Sequence, residues 1–355
     1  GVMMRAPSSF AVVVRRKDGS LQVRERAMKD GRHGAARWPL LRGVASLVES
    51  LRLGSEALRF SAEQMEKDWV EEDAAKAGGA GAGPGVLGVL SAFGMTLVTL
   101  ATRADGEASQ SAGGGRKLGS LVMLLVAIGF FVALPQAAAA GVSRLFGLAL
   151  PVQSAGFQAL TGAFKFAILV GYMLAIRRVP DIRRVFQYHG AEHKTISTYE
   201  AREALTVENA RAKTTFHPRC GTTFLVMVVL VSILAFTAVG AFLPRIQTGS
   251  AILDNVVFFF EKLPSLPVIV AVTFEMQRFF ARYCTTGPLR ALLWPGFMVQ
   301  KITTAEPDDA QLEVALASLR VTLFRQEQAQ TYAEDADVVF PDYGALLAAE
   351  RLRPA

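Results

Sequence analysis

Two long stretches without a single charge limit this chain more than any other feature. Leu118 to Ser143 (26 residues) and Thr222 to Leu243 (22 residues) contain no Asp, Glu, Lys or Arg. About 20 apolar residues in a helix cross roughly 30 Å of hydrocarbon, so both stretches read as transmembrane helices. Phe157 to Ile176, interrupted by Lys165, and Leu263 to Ala281, interrupted by Glu275 and Arg278, read as two more. A charge inside such a segment must pair or line a cavity. Glu275 and Arg278 are three apart on one helix face, which suits a local ion pair or a polar pathway between helices. With 51% hydrophobic residues in the whole chain, the expected fold is an α-helical polytopic membrane protein with about four transmembrane helices.

The remaining residues divide into a small α+β cytoplasmic portion and its connections. Residues 1–59 hold 12 Lys/Arg against five Asp/Glu, enough to account for the whole net charge of +7. Residues 1–77 form a basic cytoplasmic region able to lie on anionic lipid; no interleaved aromatic pattern suggests a nucleic-acid partner. Within it, Phe10 to Arg16 and Leu21 to Ala27 alternate around Asp18-Gly19, an N-terminal β-hairpin. From Pro39 to Trp69 apolar residues recur at helical intervals, as one or two amphipathic helices. The sequence opens on Gly1 rather than methionine, so residues ahead of it are expected in the full protein.

A glycine-rich linker, 78–117, follows, carrying the apolar segment 86–101, which is too short to cross squarely. Arg177, Arg178, Arg183 and Arg184 directly follow the 157–176 span, and the positive-inside rule places that end in the cytoplasm. Two crossings within 118–176 keep both basic clusters on that side, which makes 86–101 interfacial or re-entrant. The loop 177–221 is then cytoplasmic, the last two crossings lie within 222–284, and 285–355 forms a cytoplasmic helical region. That region has a membrane-surface stretch at Leu289 to Val299 and a helix starting near Pro307-Asp308-Asp309. Both termini are expected in the cytoplasm. Only two cysteines, Cys220 and Cys284, occur, so a disulfide framework is not expected.

The chemistry concentrates in the 177–221 loop. His189-Gly190-Ala191-Glu192-His193, with His217, places three of the four histidines within 29 residues. This is the H-x-x-E-H order of inverted zincins. On a helix His189, Glu192 and His193 share a face, as a metal with an adjacent general base requires. His217-Pro218-Arg219-Cys220 adds a second ligand pair just before the next span. The candidate ligands are therefore His189, His193, His217 and Cys220, with zinc the natural ion for imidazole and thiolate donors. Cys284, at the same membrane depth, could replace or join Cys220. Glu192 is the candidate catalytic base. Glu200, seven residues beyond His193, is an alternative ligand or a solvated acid. Lys194 and Arg219 could hold an anionic group or simply follow the positive-inside rule.

Several blocks carry a resemblance. Gly1-Val2-Met3-Met4-Arg5-Ala6-Pro7, Arg184 through Thr195, His217-Pro218-Arg219-Cys220-Gly221-Thr222 and Ile302 through Asp309 resemble the signature blocks of the YqhQ-like family of bacterial membrane proteins. The likeness extends over nearly the whole chain, with the glycine-rich 78–116 region as the departure. It implies a bacterial inner-membrane protein and metal-dependent chemistry at the same His/Glu/Cys pattern. Two functions are thus in view. One is a zinc-dependent hydrolase acting on a membrane peptide or a lipid-linked substrate. The other is a non-enzymatic scaffold, channel or insertase-like component whose metal or hydrogen-bonded site locks the loop, with the bilayer, a second copy or another membrane protein as partner.

Overall fold

A computed structural model describes residues 1–28, 38–75, 130, 133–148, 150–239, 248–285, 287–327 and 336–349. Strands β1 (Val2–Ala6), β2 (Ser9–Arg15), β3 (Leu21–Ala27) and β4 (Ala336–Phe340) form one antiparallel sheet in the order β1-β2-β3-β4. The expected hairpin is β2–β3. Gly19 adopts φ 90°, a conformation open to residues without a Cβ, and the turn closes with Arg16 N–H on the Ser20 carbonyl at 2.9 Å. Beyond that hairpin, the N-terminal residues add β1, and a strand from the far end of the sequence adds β4.

Strand β2 is buried on both faces, which explains its apolar run. Ala11 and Val13 face one core with Leu312 and Leu316, whereas Phe10, Val12 and Val14 face a second with Leu53 and Phe60. Alternation along the strand sorts these side chains to opposite sides. The first core is covered by the helix Asp309–Glu327, the second by α1 (Leu41–Ala75). The segment expected as one or two helices is thus a single long one. Much of the basic charge near the N-terminus is met by α1 itself: Arg5 pairs with Glu49 at 2.5 Å, Arg26 with Glu56 at 2.5 Å and Arg16 with Asp68 at 2.7 Å.

The remaining helices are α2 (Leu134–Leu145), α3 (Ala155–Ile176), α4 (Pro180–Glu200), α5 (Val207–Arg211), α6 (Gly221–Val239), α7 (Ala251–Lys262), α8 (Leu266–Tyr283), α9 (Trp294–Thr303), α10 (Asp309–Glu327) and α11 (Tyr343–Ala348). Three described helical segments are long and apolar enough to cross a membrane: Ala155–Ile176, Gly221–Ala238 and Val256–Tyr283. The last runs through α7 and α8 by way of a 3-10 turn at Leu263–Ser265, where Pro264 and Pro267 interrupt regular α-helical bonding. It is longer than the expected 263–281. Most of the expected span at 118–143, and all of 86–101, lies outside the described residues; α2 covers the end of the former.

Glu275 does not rely on Arg278 for a partner. Arg42, at the start of α1, donates both a Nε and a Nη hydrogen to the two oxygens of Glu275 on α8. A planar guanidinium and a carboxylate make this two-pronged pairing naturally. It fastens the helix that covers the sheet to a candidate span.

Helix α10 begins with a reciprocal cap. Asp308 accepts from the Gln311 backbone N–H at 2.8 Å, and the Gln311 side chain accepts from the Asp308 N–H at 3.0 Å. Pro307 precedes the cap, and the chain between α9 and this cap crosses over α4. That crossing positions the site.

Candidate metal centre

Pro180 at the first turn of α4, with Asp181 beside it, starts the helix that carries His189, Glu192 and His193. One helical turn separates the two imidazoles, whose ring centroids are 4.4 Å apart. His189 donates Nδ1–H to the Thr303 carbonyl at 2.9 Å, and His193 donates Nδ1–H to the Thr215 carbonyl at 2.5 Å. A carbonyl can only accept, so both Nδ1 atoms carry hydrogen and both rings turn Nε2 to the same side. There His189 Nε2 lies 3.2 Å from Cys220 Sγ. One ligand atom each from His189, His193 and Cys220 falls within 4.8 Å of the others.

This set suits an ion such as zinc. Bonds of about 2.0–2.1 Å to nitrogen and about 2.3 Å to sulfur fit donors at this spacing, and imidazoles held through Nδ1 by carbonyls are the usual orientation of metal-ligating histidines. Cys220 ends the loop just ahead of α6, and Gln277 of α8 donates to its carbonyl at 3.0 Å. The Thr222 hydroxyl lies 3.0 Å from its sulfur.

The electrostatics favour a thiolate. Burial alone would push the Cys220 thiol up, but hydrogen bonds from His189 and His193 and their charges overcome it, lowering it to about 4. Burial would lower His189, and the Cys220 bond and charge, with Glu192, instead raise it to about 9. Without an ion the two therefore form a thiolate–imidazolium pair, whose shared proton a metal would displace. Glu192 is close enough to exchange charge effects with His189, His193 and Cys220. Burial holds its carboxyl above the usual range, against the pull of the two histidines.

The pair sets a pH dependence for the metal-free protein. Cys220 is lowered in the folded state, so its stabilisation is lost as pH falls toward about 4; His189 is raised, so its share is lost above about 9. Ultraviolet thiolate absorbance of metal-free protein is expected to persist at pH 6 and to vanish in Cys220→Ser. Absorbance that appears only in the ordinary thiol range would contradict the pairing.

The other expected residues have other partners. His217 is buried and sits next to His193, ring centroids 5.8 Å apart, but its Nδ1 accepts from the Arg219 N–H at 3.3 Å and its Nε2 lies 3.2 Å from Glu200 Oε2. Nε2 therefore carries the hydrogen and donates it to Glu200. Burial keeps this imidazole below its ordinary value, the Glu200 contact opposing it only in part. Glu200 also accepts from Arg219 at 2.8 Å, and Lys194 is buried with Glu306 at 2.5 Å and the Arg211 carbonyl at 2.9 Å. Cys284 is buried and outside the three-residue group.

Residues that the motif reading missed hold the site in place. Gln300 of α9, fully buried, accepts from the His217 N–H at 2.8 Å and donates to the His217 carbonyl and the Thr223 hydroxyl, each at 2.7 Å. Gly190 lets residues 303–305 cross α4: an ideal Cβ there would lie 2.2 Å from the Ala305 carbonyl oxygen. Ala305 N–H bonds the Phe186 carbonyl at 2.9 Å, which brings the Thr303 carbonyl onto His189. The Thr303-Thr304 pair stands beside the α10 start signal, but the role of a backbone carbonyl leaves no mark in residue type.

Among the described residues, the fold and site define a largely helical protein with three candidate membrane-spanning helices and a His/Cys cluster where one of them begins. A family model described as "Protein of unknown function (DUF1385)" matches residues 38–325, and the chain belongs to that family. It is 28% identical over 329 residues to "Uncharacterized protein YqhQ" of Bacillus subtilis (strain 168), covering 91% of this chain and 89% of that protein. No solved structure matches the chain.

Proposed function

We propose that this protein resides in the bacterial inner membrane with its sheet and its centre on the cytoplasmic side, and is a metal-dependent hydrolase of a membrane peptide or a lipid-linked substrate. The observation that carries the reading is the ligand count. His189, His193 and Cys220 converge while His217 bonds Glu200 instead, and three protein ligands leave a coordination position open, as catalytic zinc sites do. An ion held there supplies Lewis acidity and makes a nucleophile from water at neutral pH. Glu192, its carboxyl held up by burial beside the three ligands, takes and returns the proton. Thr303 and Thr215 fix the two imidazoles through their carbonyls. The arginines 177, 178, 183 and 184 support the cytoplasmic placement.

Metal analysis of purified protein, paired with Glu192→Gln, tests this. Wild type and variant are both expected to hold about one divalent ion per chain, with hydrolysis of membrane peptides or lipid-linked esters falling at least ~100-fold in the variant. Wild-type protein without an ion sinks the metal reading. The deep burial of His193 and Cys220 favours a second reading, a structural centre in a scaffold or insertase-like component. That reading predicts full metal content and unchanged function in the same variant.

A further inference from the structure

A second polar cluster lies among the candidate spans, away from the His/Cys centre. Gln158, Thr161 and Lys165 share one face of α3, at spacings of three and four residues. Gln158 and Thr161 are buried, and the Thr161 hydroxyl has no hydrogen-bond partner. From the end of α7, Lys262 Nζ donates to Gln158 Oε1 at 2.7 Å and sits 4.0 Å from the Phe258 ring centroid and 5.0 Å from that of Phe236. These partners are all neutral. Lys165 lies near enough for its charge to act on Lys262, and among the described residues it makes no hydrogen bond or ion pair.

No described carboxylate answers these two cations. Glu261, next to Lys262, pairs with neither, and one of its oxygens is buried without a hydrogen bond. Asp254, earlier on α7, accepts from Thr248. An unpaired charge within a span is costly and calls for a counter-charge. Two neighbouring ammonium groups with no described carboxylate between them form a receptor for an anion. The cluster also has a defined depth. Phe236 lies well along α6 from Gly221, about 22 Å at the helical rise, so it stands at the end opposite Cys220.

On the membrane reading above, we infer that Lys165 and Lys262 bind a phosphate group, supplied by an anionic phospholipid in the leaflet opposite the His/Cys centre. Phosphate brings negative charge for both lysines. Lys262, held against two rings, is already oriented for it.

Thermal unfolding of the purified full chain in neutral detergent tests the inference, with phosphatidylglycerol, inorganic phosphate or diacylglycerol added. Phosphatidylglycerol is expected to raise the wild-type Tm by about 5 °C and diacylglycerol to leave it unchanged. Lys165→Met and Lys262→Met should each weaken the apparent lipid affinity at least ~10-fold, while Lys165→Arg keeps the response and shows that the site still folds. A shift with inorganic phosphate alone that both Met variants lose supports the same site with a soluble source. No shift with any anion, or Met variants that respond as wild type, overturns it. The membrane reading fails separately, if the protein is recovered from cells in the aqueous fraction without detergent.

Discussion

Gly190→Ala is expected to be among the most damaging single-methyl changes in the protein. The added Cβ would meet the Ala305 carbonyl oxygen at 2.2 Å, and that atom belongs to backbone rather than to a flexible side chain. Either α4 or the 303–305 crossing must move. Overpacking of this kind costs about 1–3 kcal/mol and sometimes more. The same movement withdraws the Thr303 carbonyl from His189. Loss of such an orienting partner lowers metal affinity about 10–100-fold. The variant should therefore unfold at lower temperature and, on the metal reading proposed above, release an ion to a chelator far faster than wild type. Gly221→Ala is the control, because its ideal Cβ meets nothing within 4 Å. Equal behaviour of the two variants would show that the crossing does not hold the centre.

Gln300→Leu should have an effect of similar size by a different route. Leucine keeps much of the volume but removes the hydrogen bonds to the His217 N–H, the His217 carbonyl and the Thr223 hydroxyl. Each buried polar group left without a partner costs about 1–3 kcal/mol, so a total near 3–5 kcal/mol is expected. Denaturant unfolding measures it directly. Gln300 holds the segment that runs into Cys220, so an ion at the proposed centre should also be held less tightly. A variant with wild-type stability and metal content would place the control of this segment elsewhere.

These residues show what the sequence could and could not disclose. The uncharged run from Thr222 and the Asp18-Gly19 turn are local signals, and each stands in the structure where local physics would put it; His189, His193 and Cys220, picked out by residue type, lie together. Residue type marked His217 as a ligand equally well; only the packing of Glu200 and Arg219 around it turns the ring to other partners. Spacing along its own helix pairs Glu275 with Arg278, yet the partner with matching geometry arrives from α1. Residues 39–69 read as one helix or two, and the structure makes one that runs straight through Gly54. A mid-helix glycine costs only about 1 kcal/mol, and packing of Leu53 and Phe60 on the sheet outweighs it. The carbonyls of Thr215 and Thr303 could not be singled out, since every residue has one.

Strand β4 carries a consequence for how the protein is made. Leu21 to Glu25 of β3 pair with Ala336 to Phe340, so one sheet edge waits for residues that leave the ribosome roughly 300 positions later. At about 5–20 residues per second, that wait is about 15–60 s. Throughout it the β3 edge offers free N–H and C=O groups, the kind of surface on which nascent chains pair with one another. α10, which covers the inner face of β2, also emerges late. Every candidate span is thus translated before the sheet can close, which makes the newborn chain, rather than the finished protein, the stage most exposed to aggregation and to chaperone capture.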